Sequence, residues 1–104
     1  MKVAITSRSN SMDSLLDPRF GRCAYFAIHD TETKETEFVK NPNMDVNEGA
    51  GPSAVKFIAS YKVEKAVAGE FGFKIKSLMN QVNIQMIVIQ EEKTIKEIVD
   101  MLNK

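Results

Sequence analysis

The chain has 104 residues, which suits one domain and suffices for an apolar core without disulfide or metal staples. Fourteen Lys plus Arg balance fourteen Asp plus Glu, which argues against a broad nucleic-acid surface, because phosphate neutralisation needs a surplus of cations. One cysteine cannot close an internal disulfide, Met1 to Ile5 is no apolar leader, and no apolar run approaches the roughly 20 residues of a membrane helix, so a cytoplasmic protein free of membranes and nucleic acid is expected.

Val3 to Ile5 is apolar at successive positions, the mark of a strand buried on both faces. Thr6 to Asp13 is polar and serine-rich and reads as a loop. Tyr25 to Ile28 predicts a second strand, with Tyr25, Ala27 and His29 on one face and Ala24, Phe26 and Ile28 on the other. Glu35 to Lys40 predicts a third, closing an antiparallel hairpin through a loop of about five residues.

Asn41-Pro42-Asn43 ends that strand. Pro52 stands where the first residue of a helix is expected, and the helix should run to about Tyr61, with Ala54, Val55, Ile58 and Ala59 inward. Val63 to Ala68 predicts strand four. A tight turn, Gly69 to Gly72, leads to a helix over Phe73 to Gln81, with Ile75, Leu78, Met79 and Val82 at buried-face spacing. Ile84 to Ile89 predicts strand five. Thr94 and Glu97 form a capping box for a last helix, whose apolar face is Ile95, Ile98, Val99 and Leu102. The order βββαβαβα makes an α/β domain with a mixed sheet, its two later crossovers right-handed and parallel.

Chemistry concentrates in the loops. Asp17-Pro18 breaks the backbone, Gly21 turns it between Arg19 and Arg22, and Cys23 follows at once. Two guanidiniums and a thiol beside a glycine turn suit an anion, or an anionic cluster with soft atoms. The same residues also suit a plain loop with solvated arginines and a buried thiol. Gly49-Ala50-Gly51, opening the first helix before Ser53, would present free N–H groups at the positive end of a dipole. The loop after strand one, this glycine loop and the Gly69 to Gly72 turn all follow strands, so they are candidates to converge.

The opening KVAIT, the Asp17-Pro18-Arg19-Phe20-Gly21-Arg22 motif, the Gly49-Ala50-Gly51 loop and the Gly69-Glu70-Phe71-Gly72 turn occur in one family's order. Over nearly its whole length the chain resembles the dinitrogenase iron–molybdenum cofactor biosynthesis family, the NifX-like and NifB carboxyl-terminal domains. The resemblance implies a ribonuclease-H-like three-layer fold, a five-stranded mixed sheet with helices on both faces. It also implies handling of metal–sulfur clusters: nitrogenase accessory members hold iron–molybdenum cofactor or its precursor, and the orange proteins hold a molybdenum–copper sulfide cluster. Some relatives use a histidine near the glycine turns as a ligand. The turn here carries none. The only histidine, His29, lies in strand two, where it reads as a partly exposed strand residue.

Three functions follow. As a carrier of an iron–sulfur or molybdenum-containing sulfide cluster, the protein would hold its cargo with Arg19, Gly21, Arg22, Gly49, Ala50, Gly51, Ser53, Gly69 and Gly72. Cys23 would ligate metal as a thiolate whose pKa Arg22 lowers. Cluster-donor or acceptor proteins would then be partners. As a nuclease it would need clustered carboxylates, commonly including one in strand one, and Lys2 to Thr6 has none. Cys23 and His29 stand about 20 Å apart along a strand, too far for a nucleophile pair. A metal-free module for a small anion or a protein remains open. The chain is expected to be non-enzymatic, and a monomer or a weak homodimer paired through hairpin edges.

Overall fold

A computed structural model describes residues 1–104. Five strands form one sheet: β1 (Lys2–Ser7), β2 (Tyr25–Asp30), β3 (Thr36–Lys40), β4 (Lys65–Ala68) and β5 (Gln85–Val88). Three helices accompany them: α1 (Ala50–Ala59), α2 (Phe73–Gln81) and α3 (Ile95–Leu102). The strand order is β3-β2-β1-β4-β5. β2 runs antiparallel to both β1 and β3, and β4 runs parallel to β1 and β5. Four strands therefore point one way and β2 alone is reversed.

Alternation along β1 explains the layers. Ala4 joins Phe26, Ile28 and Ala66 beneath α1 and α2, whose Ala54, Val55, Ile58, Ile75 and Met79 complete that core. Val3 and Ile5 point the other way and meet Ala27 and Val67 under Ile95, Ile98 and Val99 of α3. Val3, Ala4 and Ile5 are all buried, as a strand covered on both faces must be. Three layers result, and they match the expected mixed five-stranded sheet. No helix is long and apolar enough to cross a membrane.

Several boundaries differ from the sequence reading. β1 extends to Ser7, because polar Thr6 and Ser7 are buried by pairing with Phe26 and Tyr25. β4 and β5 shorten to four residues each, since Val63 and Ile84 are core side chains of the loops leading into them. α1 starts at Ala50, so Pro52 is its third residue. Gly49, left-handed at φ 73°, turns the chain into the helix earlier. Pro52 still falls in the first turn, where its missing N–H costs nothing. Val82 caps α2 with 43 % of its surface exposed instead of packing inward.

His29 is the larger correction. It is fully buried, not partly exposed. Its Nδ1 lies 2.8 Å from Thr36 Oγ1 and its Nε2 2.8 Å from Asn103 Oδ1. The amide oxygen only accepts, so Nε2 carries the proton and Thr36 donates to Nδ1. The ring is a polar rivet joining β2, β3 and the end of α3.

Candidate functional site

β1, β3 and β4 share one direction, and their carboxyl ends lead into the arginine turn, the glycine loop and the Gly69 to Gly72 turn. All three segments meet in one surface cleft of about 500 Å³. Arg19, Phe20, Gly21 and Arg22 form one wall, Gly49 to Pro52 the floor, and Glu70, Phe71, Gly72 and Ile75 the other wall. This is the crevice beyond strand ends where α/β sheets place ligands.

Close backbone contacts build it. Gly21 sits at φ 84°, and a Cβ there would stand 3.0 Å from the Cα and N of Gly51. A Cβ on Gly51 would in turn collide with the end of Ile75. Glu70 N–H donates to Pro18 C=O at 2.8 Å, and Arg19 bridges Glu70 in parallel. Gly69 lies against Pro18, whose Cα would be 2.6 Å from an added Cβ.

Two buried polar residues hold the arginine turn. Asp17, 4 % exposed, accepts the Arg19 backbone N–H at 2.9 Å and the Arg19 Nε at 3.3 Å through Oδ1. The Arg19 pKa is raised first by that hydrogen bond and then by the Asp17 charge. Asn41, 2 % exposed, donates through Nδ2 to Gly21 C=O at 3.0 Å and Cys23 C=O at 2.9 Å. From sequence Asp17 reads as a backbone break and the start of a motif, and Asn41 as a strand end; neither reads as an anchor. Asn before Pro at a strand end reads as ordinary punctuation, and only the fold reveals its reach of 18 and 20 residues. Arg22 Nη1 donates to Met44 C=O at 3.1 Å and to Val46 C=O, pinning the loop ahead of α1.

The cleft is electropositive beyond its two guanidiniums. The N–H groups of Ala50 and Gly51 find no acceptor within the chain, and neither do those of Phe73 and Lys74. Neither α1 nor α2 has a side-chain cap or an acidic residue in its first turn, so both helix starts keep their positive ends free. Glu70 is the cleft's one carboxylate. A smaller cleft of about 280 Å³ lies across the Gly69 to Gly72 turn, lined by Glu70, Glu91, Glu92 and Arg8 among others. Three carboxylates against one guanidinium make it the wrong place for an anion. A third, of about 360 Å³, is lined by Arg8, Asp17, Pro18, Arg19, Ala24 and Met44.

The expected residues thus divide. Arg19, Gly21, Arg22, Gly49, Ala50, Gly51 and Gly72 line one cleft. Ser53 does not: its N–H is spent on Gly49 C=O at 3.0 Å, the first helical bond of α1. Gly69 lines the acidic cleft. Cys23 is fully buried in the core under α1 and α2, and burial, followed by the Asp17 charge, pushes its thiol up from 9.0 to about 12. The expectation of a thiolate lowered by Arg22 is corrected: Arg22 spends its Nη1 on backbone carbonyls, and desolvation outweighs any cation. No three His, Cys, Asp or Glu side chains cluster as a metal site. The donor set fits an anion gripped by its outer atoms.

Fold and cleft together define an α/β domain whose strand ends open into a cleft lined by two guanidiniums and by the uncapped start of a helix. The profile of the family described as dinitrogenase iron–molybdenum cofactor matches residues 1–104, and the chain belongs to that family. The structure is similar to the apo form of the orange protein from Desulfovibrio gigas: TM-score 0.89, 29 % identity, covering 95 % of this chain and 83 % of that one. It is also similar to a NifB-type protein from Thermotoga, at TM-score 0.82 and 31 % identity, covering 95 % and 84 %. No functionally curated protein matches the chain.

Proposed function

We propose that this protein is a non-enzymatic carrier whose cargo is an anionic metal–sulfur cluster, or a sulfur-rich precursor of one, held in the arginine–glycine cleft. Membership of a family described by the iron–molybdenum cofactor supports cargo of that kind. One observation carries the reading: Arg19, Arg22 and the free N–H groups of Ala50 and Gly51 meet in one cleft whose lining holds no cysteine or histidine. Guanidiniums and amides grip the sulfides of a cluster without replacing its metal ligands. Such a grip is reversible, as transfer to an acceptor protein requires. Cys23 contributes packing.

The test is anaerobic titration with tetrathiomolybdate plus copper(I), and separately with iron(II) and sulfide, followed by desalting. The expected result is charge-transfer bands and a metal-to-protein ratio near one. Arg19→Ala or Arg22→Ala should weaken retention about tenfold, the worth of one charge-assisted hydrogen bond, and Cys23→Ala should not. Colourless, metal-free protein from both titrations would overturn the carrier reading. Phosphate binding in that case would favour the other reading, a metal-free small-anion module.

A further inference from the structure

Arg8 is a cation to which the arginine–glycine cleft gives no task. It is the first residue past β1, and its backbone N–H donates to Leu15 C=O at 3.1 Å. Asp17 N–H donates to Thr6 C=O, also at 3.1 Å, and Ser7 bridges Leu16 between them. This short antiparallel pairing lays Arg8 beside the Asp17-Pro18-Arg19 turn. Arg8 is exposed, and no salt bridge of the chain includes it. That holds even though it also borders the cleft of Glu70, Glu91 and Glu92.

The cleft of about 360 Å³ brings Arg8 together with Arg19. Its one carboxylate, Asp17, is 4 % exposed and presents almost no surface there. Both Asp17 oxygens are also taken: Oδ1 by the Arg19 backbone N–H and Nε, Oδ2 by Arg19 Nη2 at 3.4 Å. The Arg19 side chain, 59 % exposed, is thus steadied from behind while its Nη1 stays free. The charge that an entering ligand meets is that of two guanidiniums, whose forks match phosphoryl oxygens. The rest of the lining, Pro18, Ala24 and Met44, is apolar. A bare inorganic anion gains nothing from that side, whereas an ester sets its carbon body against it. We infer that this cleft is a second anion site, which takes a small phosphate monoester. Its phosphoryl head lies between Arg8 and Arg19, and its carbon body lies against Pro18, Ala24 and Met44. The site stands apart from the metal–sulfur cargo, because Arg8 does not line the arginine–glycine cleft. Arg19 borders both clefts, so filling one draws on a donor of the other.

Phenyl phosphate and inorganic phosphate are the probes, titrated into isotopically labelled protein at low ionic strength and followed by amide NMR signals. Sodium chloride at matched ionic strength is the control. The amides of Ala24 and Met44 report this cleft, and those of Ala50 and Gly51 the other. Phenyl phosphate should shift Ala24 and Met44 saturably, and chloride should not. Arg8→Gln, at an exposed position, should weaken that binding about tenfold, the worth of one charge-assisted hydrogen bond. It should leave any response at Ala50 and Gly51 unchanged. Inorganic phosphate should bind at Ala24 about tenfold more weakly than phenyl phosphate, for want of a carbon body. Equal affinity for the two probes would overturn the monoester and mark a site for free phosphate. No saturable shift at Ala24, or one that Arg8→Gln leaves intact, overturns the site itself. Titration with tetrathiomolybdate and copper(I) separates the site from the carrier. Coloured protein without a saturable shift at Ala24 removes the site alone. Colourless protein that binds phenyl phosphate through Arg8 removes the carrier alone.

Discussion

Cys23 shows how burial decides what a side chain can do. A thiol with no accessible surface and a pKa pushed to about 12 is a core group. The native protein should therefore leave Cys23 unmodified by a thiol-reactive disulfide reagent, and guanidinium should expose one equivalent. Fast native modification would show that the thiol opens to the cleft. The pH effect has a definite sign. The folded pKa exceeds the unfolded one, so the stabilisation is complete below about 9 and is lost as pH rises toward 12. Alkaline unfolding of Cys23→Ala should begin at higher pH than that of wild type, read by far-ultraviolet circular dichroism. The glycines make a second residue-scale test. Gly21→Ala puts a methyl 3.0 Å from backbone atoms of Gly51 at a positive φ, whereas Gly49, also at positive φ, faces open space. Gly49→Ala should cost about 1 kcal/mol of left-handed strain and Gly21→Ala clearly more, measured by urea unfolding. The arginines and glycines were legible in sequence because their types are unusual together. The anchoring roles of Asp17 and Asn41 were not, because their partners are set by the fold, and neither was the loss of Ser53 to a helical bond. The thiolate reading of Cys23 failed for the same reason, since adjacency in sequence says nothing about desolvation.

At the scale of elements, the clearest signals were periodicities whose faces end up buried. α3 is the example. Thr94 Oγ1 accepts Glu97 N–H at 3.2 Å, and Glu97 returns the favour to Thr94 N–H at 2.9 Å, as the T-x-x-E spacing predicts. Ile95, Ile98 and Val99 then bury one side. Thr94→Ala should destabilise the protein by about 1 kcal/mol. The Thr94 hydrogen bonds lower the Glu97 pKa, backbone N–H first. Its contribution is therefore present above the ordinary glutamate range and is lost as pH falls through and below it. Wild type should lose more stability than Glu97→Gln between pH 6 and about 3; parallel pH curves would show the box to be energetically idle. The other end of α3 was illegible. Asn103 looks like a fraying terminus, yet it holds a histidine 74 positions away. Asn103→Ala leaves Nε2–H of His29 buried without an acceptor, at a cost of about 1–3 kcal/mol. A thermal midpoint equal to wild type would mean that the helix end is loose.

For the whole molecule, zero net charge conceals a separation. Arg19, Arg22 and the bare start of α1 gather on one side of the Gly69 to Gly72 turn, and Glu91 and Glu92 on the other. Local potential, not net charge, sets which ion enters a cleft. Composition alone could not reveal this, because opposite charges cancel in the count while the sheet order keeps them apart. Glu70 lines both clefts and tests the point. As the lone carboxylate lining the cationic cleft it would repel the proposed anionic cargo across a partly solvated distance, where a unit charge is worth on the order of 1 kcal/mol. Glu70→Gln keeps the shape and the backbone bond to Pro18 while removing the charge. It should tighten tetrathiomolybdate–copper binding about threefold at low ionic strength. The gain should shrink as salt brings the screening length from about 10 Å at 0.1 M to about 3 Å at 1 M. Wild-type affinity should fall over the same range, and Arg19→Ala/Arg22→Ala should flatten that fall. Weaker binding in Glu70→Gln would reverse the assignment, because a carboxylate whose loss releases the cargo is holding the metal, not repelling the sulfides.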